Sequence, residues 1–482
     1  MTRVLAVASE IFPLVKTGGL ADVVGALPAA LRPHGVETRT LVPGYPAITA
    51  ALESPEVVYA AGELFGGPVS VVAGTAAGLD LLALHAPHLY DRAGNPYLGP
   101  DGKDWPDNWK RFGALGIVAN DIGRGAIAGY LPDIVHAHDW QAALSAAYLR
   151  TGAPASPRAI VTIHNLAFQG NFPAAIFAQL RLPPSTFGID GVEYYGGVSY
   201  LKGGLQFADA ITTVSPTYAE EICTPANGMG LDGLLRARSD VLTGIVNGID
   251  AAVWNPETDT IPPTTYSTRR LHARPINKRE VEARFSLDRD DGPIFCVVSR
   301  LAWQKGMDLL GACIDGMVAA GARLAVLGSG EANLEGLFHL AATRHPGRVG
   351  IVTGYHEPLA HLLHSGADAI LVPSRFEPCG LTQFHGLRYG CVPIVARVGG
   401  LADTIIDAND AALAAGVATG IQFLPVDVAG LAGAIQRALR LYADVPTWRN
   451  MQRRGMHADV SWDKSATRYA ALYRSLAGGN AA

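Results

Sequence analysis

Lys16-Thr-Gly-Gly-Leu-Ala-Asp-Val-Val24 stands near the start of the chain, and Arg397-Val-Gly-Gly-Leu-Ala-Asp-Thr-Ile405 stands near its end. Each copy has a basic residue, then a glycine pair, then apolar residues at helical spacing, and an apolar run precedes each: Val4 to Ala8 and Val392 to Ala396. A short apolar strand, a glycine turn and a helix start make the repeating unit of a parallel sheet. The shared Gly-Gly-Leu-Ala-Asp reflects two related halves, or else a common need for a glycine turn before a helix.

Further runs fall between the two copies: Asp133 to Ala137, Ala159 to Ile163, Ile294 to Val298, Leu324 to Leu327 and Ala369 to Val372. Uninterrupted apolar strands separated by helical stretches imply an α/β protein whose parallel sheets are covered on both faces. Leu20, Val23, Val24, Leu27 and Leu31 line one face of the first helix, which Pro28 is expected to kink or split. A fresh α/β unit opens near Ile294, after a Pro- and Arg-rich stretch around 261–275, and the linker is placed near Val241 to Asn247. The expected division is 1–242, 243–456 and a terminal helix in 457–482. Tyr469, Leu472, Tyr473 and Leu476 make that helix amphipathic, so it needs a surface and is expected to cross back to the first domain.

At roughly 100–200 residues per domain, 482 residues call for more than one domain. Lys and Arg total 38 against 43 Asp and Glu, a net charge of −5, which leaves no electrostatic footprint for nucleic acid. Hydrophobic residues make up 49% and charged ones 17%, the balance of a well-buried globular chain. Five cysteines, odd in number and without a Cys-x-x-Cys pair, read as free thiols in a reducing compartment. Val4 to Ala8 is too short for a signal peptide, and the longest uncharged run, Ala411 to Val426, is interrupted by glycine, glutamine and proline. A cytoplasmic protein with no membrane or nucleic-acid partner is expected.

In open α/β sheets ligands bind beyond the carboxyl ends of the strands, so the polar residues there are the candidates. Lys16-Thr17-Gly18-Gly19 immediately precedes a helix and offers a lysine and backbone N–H groups to a phosphate, or else is a surface lysine beside a turn. It has neither a Gly-x-x-x-x-Gly-Lys-Ser/Thr nor a Gly-x-Gly-x-x-Gly spacing. Arg300 and Lys305 share one strand-end loop and suit a diphosphate, with a solvated pair as the alternative. Glu377, in Pro373-Ser-Arg-Phe-Glu-Pro-Cys-Gly-Leu-Thr382, reads as an acceptor of sugar hydroxyl bonds or as a helix cap; Gly380, Leu381 and Thr382 after it offer N–H groups. Asp139, His164 and Asn165 end two strands of the first half and suggest a polar pocket, and Tyr355 offers a ring face for a base or is an ordinary half-buried tyrosine. Metal signals fail: His356 to His361 is one residue too long for His-Glu-x-x-His, and His136-x-His138 lacks further ligands.

The segments Lys16 to Asp22, His136-Ala-His-Asp-Trp140, Thr162-Ile-His-Asn165, Asn247-Gly-Ile-Asp250, Ser299 to Gly306 and Pro373 to Gln383 run in order along nearly the whole chain. Together they resemble the ADP-glucose-dependent glycogen and starch synthase family. The resemblance implies a GT-B architecture: two Rossmann-like domains facing across a cleft, with the last helix returning to the first. It also implies a glycosyltransferase that moves glucose from ADP-glucose to the 4-hydroxyl at the non-reducing end of an α-1,4-glucan, with retention and without cofactor or metal.

Carried onto this sequence, the resemblance makes Lys16, with Gly18 and Gly19, a donor contact, and gives Arg300 and Lys305 the diphosphate. Glu377 then holds the transferred glucose, and Tyr355 stacks on adenine. Gly380 to Thr382 and Gly399-Gly400 present N–H groups to phosphate and sugar; Asn165 and Asn247 join the donor site. His164 lies against the donor sugar, and Asp139 borders the acceptor. With no carboxylate nucleophile in evidence, a front-face reaction is preferred to double displacement. One departure stands out: where related transferases carry a second glutamate, and close relatives a tyrosine, this chain has His385. The runner-up reading is another retaining glucosyltransferase with a different donor or a small acceptor.

Overall fold

A computed structural model of the chain describes residues 1–152, 157–354 and 356–478. It divides into two compact units, one made of Met1–Asn247 with the segment from Trp462 onward, the other of Gly248–Ser461.

The first unit carries strands β1 (Thr2–Val7), β2 (Val36–Pro43), β3 (Glu53–Leu64), β4 (Gly67–Ala76), β5 (Leu79–His85), β6 (Ile134–His138) and β7 (Arg158–Ile163). A small antiparallel sheet follows, of β8 (Asn171–Pro173), β9 (Glu193–Tyr194) and β10 (Gly197–Ser199), and then β11 (Ala210–Thr213) and β12 (Leu242–Gly244). The main sheet runs β12-β11-β7-β6-β1-β2-β5-β4-β3. It is parallel from β12 to β5, and β4 and β3 extend it as an antiparallel hairpin. The chain runs outward from β1 to β2 and β5, then returns to lay β6 on the other side of β1. That reversal splays the loops after β1 and β6 apart and opens a crevice at their carboxyl ends.

Burial explains why these segments take these forms. Val4 to Val7 of β1 and all of β6 are buried, as strands covered on both faces must be. The helix Asp139–Thr151 is buried from Asp139 to Leu149, because it lies between the helices Asn108–Gly123 and Tyr200–Phe207. Its alanines keep it narrow, and Gly204 lets Ala143 close in: a Cβ there would lie 2.5 Å from the alanine methyl.

The first helix runs unbroken from Gly19 to Leu31, so Pro28 does not split it as expected. One forfeited hydrogen bond is outweighed by Val23, Leu27 and Leu31, which sink into a core shared with the last helix, Asp463–Gly478. That last helix buries Ala466, Tyr469, Ala470 and Tyr473 against Val4, Ile134 and Ile160, in the first unit.

The second unit is built on β13 (Ile294–Val298), β14 (Arg323–Gly328), β15 (Val349–Thr353), β16 (Ala369–Val372), β17 (Val392–Ala396) and β18 (Ile421–Phe423). They are all parallel, in the order β15-β14-β13-β16-β17-β18. The reversal here falls between β13 and β16, which pair through Phe295 with Ala369 and Cys296 with Ile370. Arg323 clips the opposite edge: its fully buried guanidinium donates to Glu282 Oε1 at 2.6 Å and to the carbonyls of Asp288, Asp290 and Gly292.

The terminal helix is thus core rather than appendage. Tyr473→Ala removes a fully buried ring, and the cost expected from urea titration is about 3–5 kcal/mol.

Candidate active site

In the second unit the loops after β13 and β16 meet at the sheet reversal, and they carry Arg300, Lys305 and Glu377. Gly306 makes the approach possible: at φ 67° it sits where a Cβ would lie 2.0 Å from the Pro373 carbonyl oxygen. Arg375 then ties the loops together. Its backbone N–H donates to Gln304 O at 2.9 Å, and its guanidinium donates to Trp303 O and grips both oxygens of Asp308, all at 2.7 Å. That guanidinium holds the Asp308 carboxyl below the usual carboxylate range.

Inside this clasp Lys305 Nζ donates to Glu377 Oε2 at 2.6 Å, and the buried Ser374 hydroxyl donates to the same oxygen at 2.8 Å. Glu377 is only 6% exposed, so these partners stand in for the water its carboxylate gives up. Oε1 takes no hydrogen bond among the described residues. Arg300 is exposed, and its guanidinium is unpartnered among the described residues.

Gly399 and Gly400 come up against the back of this loop. A Cβ on Gly399 would lie 2.1 Å from Glu377 O, and one on Gly400 2.3 Å from Cys379 O. Gly400 N–H donates to Glu377 O at 3.1 Å and to Pro378 O at 3.2 Å, so the glycine pair is also tied to the Glu377 loop. Gly380 turns at φ 74°, Leu381 caps the helix Thr382–Tyr389, and the Thr382 hydroxyl reaches Val298 O at 3.5 Å.

In the first unit the loop after β1 brings Lys16, Gly18 and Gly19 to the reversal beside β6. Gly18 occupies the N-cap position of the helix without any side-chain cap. The organiser is Glu10, which sequence reading missed. Its buried carboxylate accepts both the N–H and the hydroxyl of Thr17, the latter at 2.5 Å, and also the Tyr97 hydroxyl. Lys16 Nζ pairs with Asp22 Oδ1 at 2.8 Å and lies over the Phe12 ring. The spacing Lys16 to Asp22 held that signal, since six residues bring a loop lysine back onto the first helical turn.

Asp139 follows β6 directly, at φ 57°, a left-handed conformation that non-glycine residues take up rarely outside constrained sites. Its Oδ1 accepts the backbone N–H groups of His164 at 2.7 Å and Asn165 at 3.4 Å, joining the ends of β6 and β7. Burial raises the Asp139 carboxyl to about 7, against the lowering effect of those N–H groups. His138 Nδ1 lies 3.0 Å from His164 Nε2, and burial lowers both rings, His138 to about 3. His136 behind them sits between the Tyr473 hydroxyl at 2.8 Å and Thr162 Oγ1 at 2.5 Å, also held neutral by burial.

Asn165 Oδ1 accepts the Ala167 N–H at 3.0 Å, and Asn247 is buried with its Oδ1 unpartnered among the described residues. Tyr355 lies outside the described residues. His385 is stacked on Trp254 at 3.6 Å, with His361 on the other face of the indole at 3.9 Å. Among the described residues no group of three or more His, Cys, Asp or Glu is placed to hold a metal ion, and no helix is long and apolar enough to cross a membrane.

The raised Asp139 carboxyl has a consequence for stability. Between pH ~4, where an unfolded aspartate ionises, and pH 7, the folded chain keeps a proton that the unfolded chain has lost, so stability falls as pH rises. Asp139→Asn tolerates the left-handed backbone and is always neutral. Thermal melts are expected to show it more stable than the parent above pH 7, the difference vanishing toward pH 4.

Residues 3–237 match the model of the starch synthase catalytic domain, and residues 278–455 that of glycosyl transferases group 1. Two glycogen synthases align over 98% of this chain. That of Mesorhizobium japonicum is 60% identical over 98% of its own length, and that of Rhizobium leguminosarum bv. trifolii 58% over 99%. The solved catalytic domain of starch synthase IV from Arabidopsis thaliana, bound to ADP and acarbose, superposes with a TM-score of 0.89 at 29% identity, covering 99% of each chain. These likenesses span both units, and by them the chain belongs to the glycogen synthase family of two-domain, GT-B glycosyltransferases.

Proposed function

We propose that the protein transfers glucose from ADP-glucose to the 4-hydroxyl at the non-reducing end of an α-1,4-glucan, with retention of configuration. The observation that carries this reading is the clasped Lys305–Glu377 pair at the reversal between β13 and β16. A cation and a carboxylate held together suit a substrate with an anionic leaving group and a hydroxyl-rich ring.

When the donor enters, Arg300 and Lys305 take the diphosphate, whose charge grows as the bond to C1 breaks. Glu377 keeps Oε1 for glucose hydroxyls, while Ser374 fixes its other oxygen. Gly380, Leu381 and Thr382 stand at a helix N-terminus, where backbone N–H groups favour an anion. Tyr355 takes the adenine, and Lys16, Gly18, Gly19, Asn165 and Asn247 complete the donor contacts. Gly399 and Gly400 act by seating the Glu377 loop. His164 lies against the donor sugar and Asp139 on the acceptor side.

The C1–O bond to phosphate breaks as the acceptor's 4-oxygen bonds to C1 on the same face. The departing phosphate oxygen takes the acceptor's proton, so no protein nucleophile or metal is required. The five cysteines, none of them in a disulfide, support a reducing, cytoplasmic setting.

ADP-glucose and UDP-glucose, each supplied alone with glycogen, test the donor. Elongation is expected from ADP-glucose, and none from either donor overturns the reading. Glu377→Gln is expected to keep its melting profile and lose about 10²–10³-fold in kcat. Lys305→Ala is expected to act more on the KM for ADP-glucose. Parental turnover in folded Glu377→Gln removes that carboxylate from the mechanism.

A further inference from the structure

Two large apolar side chains on the first unit stand where the backbone disfavours them. Tyr195 occupies the tip of the β9–β10 hairpin at φ 48°, followed by Gly196 at φ 79°. Such a two-residue turn ordinarily takes asparagine or glycine at its first position. Met229 repeats the pattern on a separate loop, at φ 48° and followed by Gly230 at φ 84°. Neither residue gains burial in return, since Tyr195 is 85% exposed and Met229 37%. Conformations of this kind persist where something other than folding selects the side chain.

The two tips form one surface. Tyr194 points inward to the core and donates its hydroxyl to Met229 O at 3.0 Å, and Gln169 Nε2 donates to the same oxygen at 3.1 Å. The Tyr195 ring packs edge-on to Tyr194 at 4.7 Å, and its edge lies beside Gly230, 3.6 Å from where a Cβ there would stand. One residue before Gln169, Phe168 is 51% exposed, and its N–H donates to Asn165 O at 3.2 Å. Phe168 and Gln169 thus tie the Met229 loop through the chain to the His164–Asn165 strand end.

We propose that Tyr195, Met229 and Phe168 form a platform on which the α-1,4-glucan acceptor lies as it leaves the strand-end pocket. This rests on the glucan-acceptor reading above. A pyranose ring presents an apolar face of C–H groups with hydroxyls around its rim, which suits an exposed ring beside the half-buried carboxylate of Glu193, whose Oε1 accepts the Gly196 N–H at 2.7 Å. The area argues for a slim ligand. Three such side chains offer roughly 300–600 Å², short of the ~800 Å² that a stable protein contact covers on each partner.

Tyr195→Gly deletes the ring and suits the turn, so it separates binding from folding. Expected are a glycogen KM and a glycogen dissociation constant by affinity electrophoresis, without donor, raised about 3- to 10-fold. The kcat, the KM for ADP-glucose and the melting temperature are expected to hold, and Tyr195→Phe to behave as the parent. Unchanged glycogen binding in Tyr195→Gly overturns the platform, as does an equal loss in Tyr195→Phe. An altered oligomeric state on size exclusion with glycogen binding intact assigns the face to a protein partner and overturns it too. Parent protein that binds glycogen through Tyr195 but transfers no glucose removes the function proposed above and leaves the platform standing.

Discussion

Backbone pressed on backbone at Pro373 to Cys379 is the constraint on which the second unit's chemistry depends. Gly306 abuts the Pro373 carbonyl from one side; Gly399 and Gly400 abut the Glu377 and Cys379 carbonyls from the other. Any side chain at these points would force the three strand-end loops apart by more than an ångström. Because they touch, Glu377 loses water and gains Lys305 and Ser374 in its place. A buried carboxylate held in one rotamer by a cation and a hydroxyl is already oriented before a substrate arrives.

The first unit reaches a comparable result by other means. Its strand ends are joined by side chains that cap backbone N–H groups: Glu10 holds Thr17, and Asp139 holds His164 and Asn165. The layer beneath consists of neutral, buried imidazoles that exchange hydrogen bonds with one another and with Thr162 and Tyr473. Uncharged rings let the pocket floor stay dry without a buried ion to compensate.

Much of this was legible in the sequence, for identifiable reasons. Strands buried on both faces, such as Ile294–Val298 and Val392–Ala396, leave uninterrupted apolar runs that match their observed limits. The β3–β4 hairpin left no such mark, because β3 lies at the sheet edge, is mostly exposed and shifts register three times against its partner. Glu10 was equally silent: a lone glutamate after a strand shows its role only once Thr17 and Tyr97 fold onto it. Gly399-Gly400 was read as a ligand cradle because a glycine pair before a helix suits an anion as well as a close backbone contact. The close backbone contact with the Glu377 loop is the part that the sequence did not show. His385, set apart as a departure, proves to be one face of an aromatic stack with Trp254 and His361.

The last helix gives the chain an order of events. In the first unit Val4 of the sheet and Val23, Leu27 and Leu31 of the first helix make an apolar wall that Ala466, Tyr469, Ala470 and Tyr473 of the last helix cover, and the whole second unit lies between the two in sequence. On the ribosome that apolar wall emerges before the second unit and waits for the helix that follows it. The second unit, contiguous from Gly248 to Ser461, has its complete sequence available before the first can close. Nascent chains stalled short of Tyr469 therefore carry a finished domain beside an open one, with the unfinished surface exposed to any chaperone that reads apolar patches.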